Sequence, residues 1–310
     1  MELKYASYQF TPVLGWSITR YETFDKCRRQ YFYQYYAKYV PGVPRYRMDR
    51  LRALTSTALE VGNVVHDVLE AFLRRLQKND SGIDTGRFIE FARRKTLDYF
   101  STKTFIETVY WDGTVDRDRA FGRVERCLNN FLASPTCTWI FMKAITNKKD
   151  WMIEPPGYGE TRIEGMKAYC KMDFLFPVDN EVVILDWKTG KRDEYKHAGQ
   201  ILGYAAAAHN NFGIPWNVIF PKIVYLYPEF SELEIRPAQD DYASFCARVR
   251  RETDEMYACC SDPEQNVPLH IDKFPKSPSE KICAYCNYQE LCFPDRRIRP
   301  GGTGKDEEFV

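Results

Sequence analysis

The sequence predicts an α/β fold with a helical N-terminal elaboration and a cysteine-bearing C-terminal tail. Three observations predict it. Apolar residues recur at three- and four-residue spacing through the first half. Short runs of strand character then lead into a helix and a further buried strand, which makes a strand-helix-strand unit. The stretch from Val267 onward is rich in Pro, Lys and Cys and has no period. With 310 residues, 44% hydrophobic and 15% aromatic, the chain can bury a sizeable core, which excludes disorder as its main state. Lys plus Arg number 44 and Asp plus Glu 43, a net charge of +1. No bulk attraction to nucleic acid or acidic membranes follows, so any polyanion site is a local patch. The opening Met1-Glu2-Leu3-Lys4-Tyr5 carries no secretion signal, and no stretch approaches the roughly 18 apolar residues of a membrane span. The expected location is cytoplasmic, with no membrane partner. There the ten cysteines read as thiols or metal ligands rather than disulfides.

Thr19 with Glu22 forms a capping box that opens a helix carrying Tyr21, Phe24, Cys27, Tyr31 and Tyr35, ending before Pro41-Gly42. Thr57 with Glu60 opens a second, in which Leu59, Gly62, His66, Leu69 and Leu73 share a face and Arg74, Arg75 and Lys78 fall toward the end. Helical spacing returns over about residues 86–100 and 117–132. The character changes at Glu154-Pro155-Pro156-Gly157, and strands are expected at residues 161–164, 168–176 and 182–187. A helix bearing Gln200, Ile201, Tyr204 and Ala208 runs to about Asn210, followed by a buried strand at 218–227, an edge strand at 231–236 and a long helix at 240–260. The expected organisation is a single domain over residues 1–310: a mainly helical part at 17–150 with Cys27 and His66, an α/β core at 151–260, and a tail at 261–310.

The most informative stretch lies between Lys171 and Lys188. If Asp179-Asn180 forms a two-residue turn, Val178 pairs with Glu181, and counting outward sets Asp173 opposite Asp186. Opposed residues have β-carbons about 4.5 to 5.5 Å apart, so the carboxylates repel unless a cation lies between them. Lys188, two residues after Asp186, points to the same face. Spacing alone also allows a salt-bridged solvent face with no chemistry. The continuous apolar run Val182-Val183-Ile184-Leu185 argues for a buried strand whose polar end opens to ligand. Gln200 and Tyr204, four apart, suit either a base or phosphate contact or plain helix-sheet packing.

Cys283, Cys286 and Cys292 form C-x2-C-x5-C in the aperiodic tail, a spacing suited to thiolate ligation of a soft metal with one ligand missing. Cys127, Cys137, Cys170, Cys246, Cys259 and Cys260 read as small buried hydrophobes. Near the N-terminus, Arg28, Arg29, Arg45, Arg47, Arg50 and Arg52 interleave with Tyr31, Phe32, Tyr33, Tyr35, Tyr36 and Tyr46. That mixture suits single-stranded nucleic acid; an amphipathic helix followed by a solvated arginine loop would read the same.

In order, the chain carries Cys27-Arg28-Arg29-Gln30-Tyr31-Phe32, Gly62-Asn63-Val64-Val65-His66, Asp173, Asp186-Trp187-Lys188-Thr189-Gly190 and Gln200-Ile201-Leu202-Gly203-Tyr204. From about residue 17 to 293 this resembles the PD-(D/E)XK nuclease superfamily, in its RecB-like branch of CRISPR-associated exonucleases and helicase-nuclease nuclease domains. Two departures stand out: Trp187 where the branch usually has Tyr, and Cys170-Lys171-Met172-Asp173-Phe174 without the usual Gly and Arg. The resemblance implies a restriction-endonuclease-like core, a mixed central sheet flanked by helices, and a DNA exonuclease acting on single strands or ends. It implies that His66, Asp173, Asp186 and the Trp187 carbonyl hold Mg2+ or Mn2+, with Lys188 as catalytic lysine. It further implies that Cys27 completes a [4Fe-4S] site with the three tail cysteines, Zn2+ being the alternative metal. A helicase, integrase or replication protein is the expected partner class, and a catalytically silent DNA-end-binding subunit is the alternative function.

Overall fold

A strand as continuously apolar as residues 182–185 needs cover on both faces, and in the computed structural model it lies at the centre of a five-stranded sheet. The structure describes Ala6 and residues 8–79, 82–154, 159–277 and 279–300. Pro155, Pro156, Gly157, Pro278 and residues 301–310, on which parts of the predicted boundaries rest, lie outside the described residues. The strands are β1 (Met152–Ile153), β2 (Phe174–Val178), β3 (Glu181–Lys188), β4 (Ile219–Tyr225) and β5 (Ser231–Glu234), side by side in that order. Only β3 and β4 run parallel, joined through the helix Glu194–Phe212; the other neighbours are antiparallel. The sheet is therefore mixed and flanked by helices, as expected.

The β2-β3 register is the one the sequence predicts: Val178 opposes Glu181 and Phe174 opposes Leu185. Asp179 takes φ 50°, the left-handed conformation that a tight hairpin turn requires. The helix Glu194–Phe212 is capped by the Asp193 carboxylate, which accepts from the Lys196 N–H, and ends at Gly213 with φ 65°. Its fully buried Ala205, Ala206, Ala207 and Ala208 allow close approach to its neighbours.

The predicted strand at 168–176 divides. Met166–Tyr169 pairs with Glu160–Ile163 in a separate two-stranded hairpin, closed by Glu164 and Gly165 at φ 46° and 79°. That hairpin ends where the Cys170 N–H donates to the Gly159 carbonyl. The chain then crosses to the central sheet, where the Asp173 carbonyl accepts from the Glu154 N–H. Hydropathy does not mark this crossing because both sides of it are apolar.

The chain folds as two compact units. One takes in Val61–Asp98, Arg117–Arg250 and the described residues before Thr11, and contains the sheet; the other takes in Thr11–Glu60, Tyr99–Asp116 and the described residues from Arg251 on. The helical stretch at 17–150 is thus shared between units, and the cysteine-bearing stretch is no distinct tail. Glu280–Ala284 and Gln289–Cys292 are short helices rather than aperiodic coil. Buried Gln289 donates to the Cys283, Ala284 and Ile298 carbonyls and accepts from the Ile298 N–H. Tyr110 and Trp111 donate to the Asn287 and Ala284 carbonyls. Sequence periodicity is blind to a segment held by such polar hooks.

Both capping boxes are displaced. Ser17 caps the first helix by accepting from the Arg20 N–H, and Ser56 caps the second by accepting from the Leu59 N–H. Glu60 accepts instead from the Thr55 hydroxyl, and Leu59 is 57% exposed. The first helix is two, Ile18–Lys26 and Arg28–Tyr35, broken at Cys27, which is extended (φ −161°, ψ 107°). No helix among the described residues is long and apolar enough to cross a membrane.

Replacing Gln289 by Leu keeps the volume but leaves buried carbonyls unpaired, a cost of about 2 kcal/mol. The expected outcome is a lower denaturant midpoint at unchanged slope, read by chemical unfolding.

Candidate active site

Alternation along β3 separates its last side chains. The Trp187 ring goes into the core against Phe131, with centroids 5.4 Å apart, and Asp186 and Lys188 take the opposite face. There the Lys188 Nζ lies 2.5 Å from Asp186 Oδ2. Asp173, one residue before β2, falls opposite Asp186 by continuation of the hairpin register. Its Oδ2 accepts from the Trp187 N–H at 2.8 Å, and its Oδ1 lies 3.2 Å from His66 Nδ1. His66 comes from the helix Thr57–Lys78, one turn after Gly62. A Cβ at position 62 would lie 3.3 Å from Thr189 Oγ1, so a larger residue there would press on the Thr189 side chain.

Two titratable residues join the site that sequence reasoning missed. Glu154 has φ 44°, a conformation unfavourable for a residue with a Cβ. Its carboxylate pairs with Lys171, and the donor atoms of His66, Glu154 and Asp173 lie within 4.8 Å of one another. The only sequence signal nearby was the Pro-Pro-Gly that follows it. His197, in the first turn of the helix Glu194–Phe212, has Nδ1 2.7 Å from the Tyr225 hydroxyl. Burial, with Lys188 and Lys196 nearby, pushes its pKa down to about 4, so it is neutral.

Gln200 and Tyr204 are brought to the site, but behind it. Tyr204 is buried and donates to Asp186 Oδ1, while Gln200 Nε2 donates to the Tyr204 hydroxyl. Tyr204 thus meets the Asp186 carboxylate directly, and Gln200 reaches it through the Tyr204 hydroxyl.

The electrostatics are those of two buried carboxylates sharing one site. Burial would raise Asp173, but His66, Lys188 and the Trp187 N–H outweigh it and hold its carboxyl below the usual range. Burial raises Asp186 and the Asp173 charge adds to it, against Lys188 and Tyr204. Burial disfavours both cations as well, yet the carboxylates prevail: His66 is pushed up to about 9, and Lys188 is raised. Carboxylate oxygens with one imidazole make a donor set suited to Mg2+, Mn2+ or Zn2+, so these residues fit a divalent cation.

In the second unit, Cys27, Cys283, Cys286 and Cys292 line one cavity. The break at Cys27 frees its sulfur to accept from the Gln30 and Ser277 N–H groups. Burial pushes the Cys286 thiol up to about 12, with Cys27, Cys292 and Cys283 adding to it, and Cys283 is raised by burial and by Cys27 and Cys292. Cys127, Cys137, Cys170, Cys246 and Cys259 are buried as expected; Cys260 is half-buried, 3.5 Å from the Tyr36 hydroxyl.

The basic and aromatic stretch is largely committed to structure. Tyr31 is fully buried among Phe24, Tyr35, Tyr36 and Phe274, which corrects its assignment as a nucleic-acid contact. Arg29 donates to the Phe274 carbonyl, Arg28 lies over the Phe24 ring, and Arg47 pairs with Glu290. Arg45 is exposed, with Asp49 3.7 Å away.

His66 provides a pH test on chelator-treated protein. Its folded pKa of about 9 lies above the unfolded value of 6.5. Its stabilising contribution is therefore complete below pH 6.5 and is lost as pH rises through 9. Denaturant unfolding of the parent and of His66→Gln across that interval should show the parent's advantage shrinking; a constant difference would contradict the His66–Asp173 pairing.

Comparison with known proteins gives a consistent picture. The "CRISPR-associated exonuclease Cas4" of Methanocaldococcus jannaschii is 25% identical over 187 residues, covering 58% of this chain and 97% of its own. The pattern of one nuclease family matches residues 15–293, a span that includes the Gly62 helix, the Asp173–Asp186 hairpin and the Gln200 helix. By that match the chain belongs to the PD-(D/E)XK nuclease superfamily.

Proposed function

We propose that the protein is a metal-dependent DNA exonuclease acting on single strands or ends, with one or two Mg2+ or Mn2+ ions. The observation that carries this reading is Asp173 opposed to Asp186 at a buried strand end, with His66 and Lys188 against them. His66, Asp173, Asp186 and the Trp187 carbonyl would hold the cation, with Glu154 as a further donor. The cation would supply Lewis-acid polarisation of the phosphodiester and a lowered pKa for water. Lys188 lies beside that position and serves the phosphate, either by offsetting charge that develops on its oxygens or by taking a proton from the attacking water. Tyr204, backed by Gln200, fixes the Asp186 rotamer. Hydrolysis forms one P–O bond to water and breaks the bond to the leaving nucleotide oxygen, which receives a proton.

Asp186→Ala should lower cleavage of linear DNA in Mg2+ or Mn2+ by about 10^3-fold with the fold intact by circular dichroism, and chelator should act likewise. Tyr204→Phe should cost roughly 10- to 100-fold in activity or metal affinity, partly recovered at higher Mn2+. Equal rates for Asp186→Ala and the parent would remove the assignment.

We also propose that Cys27, Cys283, Cys286 and Cys292 hold a [4Fe-4S] cluster, with Zn2+ as the alternative. Support comes from the cavity they share and from the raised thiols of Cys283, Cys286 and Cys292, which burial and the neighbouring cysteines push up and which a bound cation would relieve. Anaerobically prepared protein should be brown and contain iron and sulfide. Cys292→Ser should lose colour and melt lower, while Cys127→Ala keeps its metal. Stoichiometric zinc without iron would exchange the metal and keep the ligands.

A further inference from the structure

Within the second unit, positive charge is concentrated in one stretch. In a chain whose net charge is +1, the residues from Ser17 to Leu54 carry nine Lys and Arg against three Asp and Glu. The excess is densest on the helix Arg45–Arg52, where Met48 and Leu51 are buried and Arg45, Tyr46, Arg50 and Arg52 are left facing outward. Among the described residues, Glu290 takes Arg47 and Arg50, and Asp49 lies 3.7 Å from Arg45. Arg52 follows Arg45 by seven residues, on the same side of the helix and about 10 Å along it. The charge of Arg52 reaches Tyr35, which is 36% exposed: burial raises the Tyr35 hydroxyl, and Arg20 and Arg52 act against it. Arg20 lies over the Tyr35 ring, its Cζ 4.4 Å from the centroid. At the other end of the helix Tyr46, beside Arg45, is 76% exposed. Arginines and open tyrosine rings thus follow one another along a strip from Arg20 to Tyr46.

Guanidiniums track phosphates and aromatic rings stack on unpaired bases, so this alternation suits a single strand of nucleic acid. A helix lying on a membrane needs an apolar face turned outward, and this helix has turned its apolar residues inward. We propose that Arg45, Tyr46 and Arg52, continued by Tyr35 and Arg20, bind the phosphates and bases of single-stranded DNA. This rests on the nuclease reading above and adds to it a strand-binding surface on the second unit. Of the residues that the sequence offered for such contact, Arg45 is kept, and exposed Tyr46 takes the place of buried Tyr31. Contact with the backbone, and stacking that accepts any base, make the surface indifferent to sequence.

The test uses the full chain in chelator and a fluorescent single-stranded oligonucleotide, with Kd measured across a salt series. Arg45→Ala combined with Arg52→Ala should weaken binding at low salt and reduce the slope of log Kd against log salt by about 1.4, or about 0.7 for each lost phosphate contact. Lysine at both positions should restore the slope. Tyr46→Ala should lose about tenfold in affinity at unchanged slope, and Tyr46→Phe should recover it, since stacking needs the ring and not the hydroxyl. With Mg2+ or Mn2+ restored, KM for the strand should rise in the alanine variants by more than kcat falls. If the double variant and Tyr46→Ala match the parent in affinity and slope while the parent binds and cuts DNA, the surface is wrong and the nuclease reading stands. Binding to anionic lipid vesicles that these variants lose, with oligonucleotide binding unchanged, would overturn it in favour of a membrane surface. A parent that neither binds nor cuts the strand would overturn both readings.

Discussion

Two carboxylates face each other at the end of a buried hairpin, and most of the first unit's particular features answer to that repulsion. Asp173 and Asp186 are both buried, where charges are screened least and cost most. Each receives partners on more than one side: His66 and the Trp187 N–H for Asp173, Tyr204 and Lys188 for Asp186. Those partners come from a helix in the first half of the chain, from β3 itself, and from the helix that joins β3 to β4. The fold brings these segments together, and the charge balance accounts for the residue types found where they meet.

The division of labour within the pair is unequal. Asp173 has a cationic partner and a backbone donor and stays readily ionised. Asp186 bears more of the burial and of its neighbour's charge, and its proton is held more tightly. Glu154 adds a third carboxylate, tied to Lys171, on the His66 side of Asp173. An assembly this acidic is poorly explained as a stabilising device, because apolar side chains of similar volume would fill the same space without the desolvation cost. It is better explained as a site whose charge is completed by a ligand.

How far the sequence could be read follows from which signals are local. The hairpin register was legible because a two-residue turn and a period of two leave one arrangement, and the carboxylate pair followed by counting. The Gly62 and His66 spacing, the parallel crossover and the edge strand were legible for the same reason. Cys27 was visible as a ligand type, but its break in the helix was not, since Tyr and Arg continue the helical pattern on both sides and the cause lies in distant Ser277 and in its own capping sulfur. Tyr31 shows the converse: periodicity placed it on a face but could not say that Phe274, far along the chain, would cover that face. Glu154 was hidden because its placement depends on a positive φ and a hydrogen bond to Asp173, neither of which leaves a hydropathy trace.

The protons on the site follow from the same constraint. The carboxylates keep both His66 and Lys188 charged, so the residues proposed as metal ligand and catalytic lysine are engaged in balancing negative charge. An imidazole must be neutral to serve as a ligand, and an amine must be neutral to accept a proton. Both roles therefore require that something else take over the charge they now offset, and the donor set suits a divalent cation for that task. On the reading proposed above, cation binding and proton release would be linked at one location, and the residues that balance the carboxylates would be the ones released for chemistry.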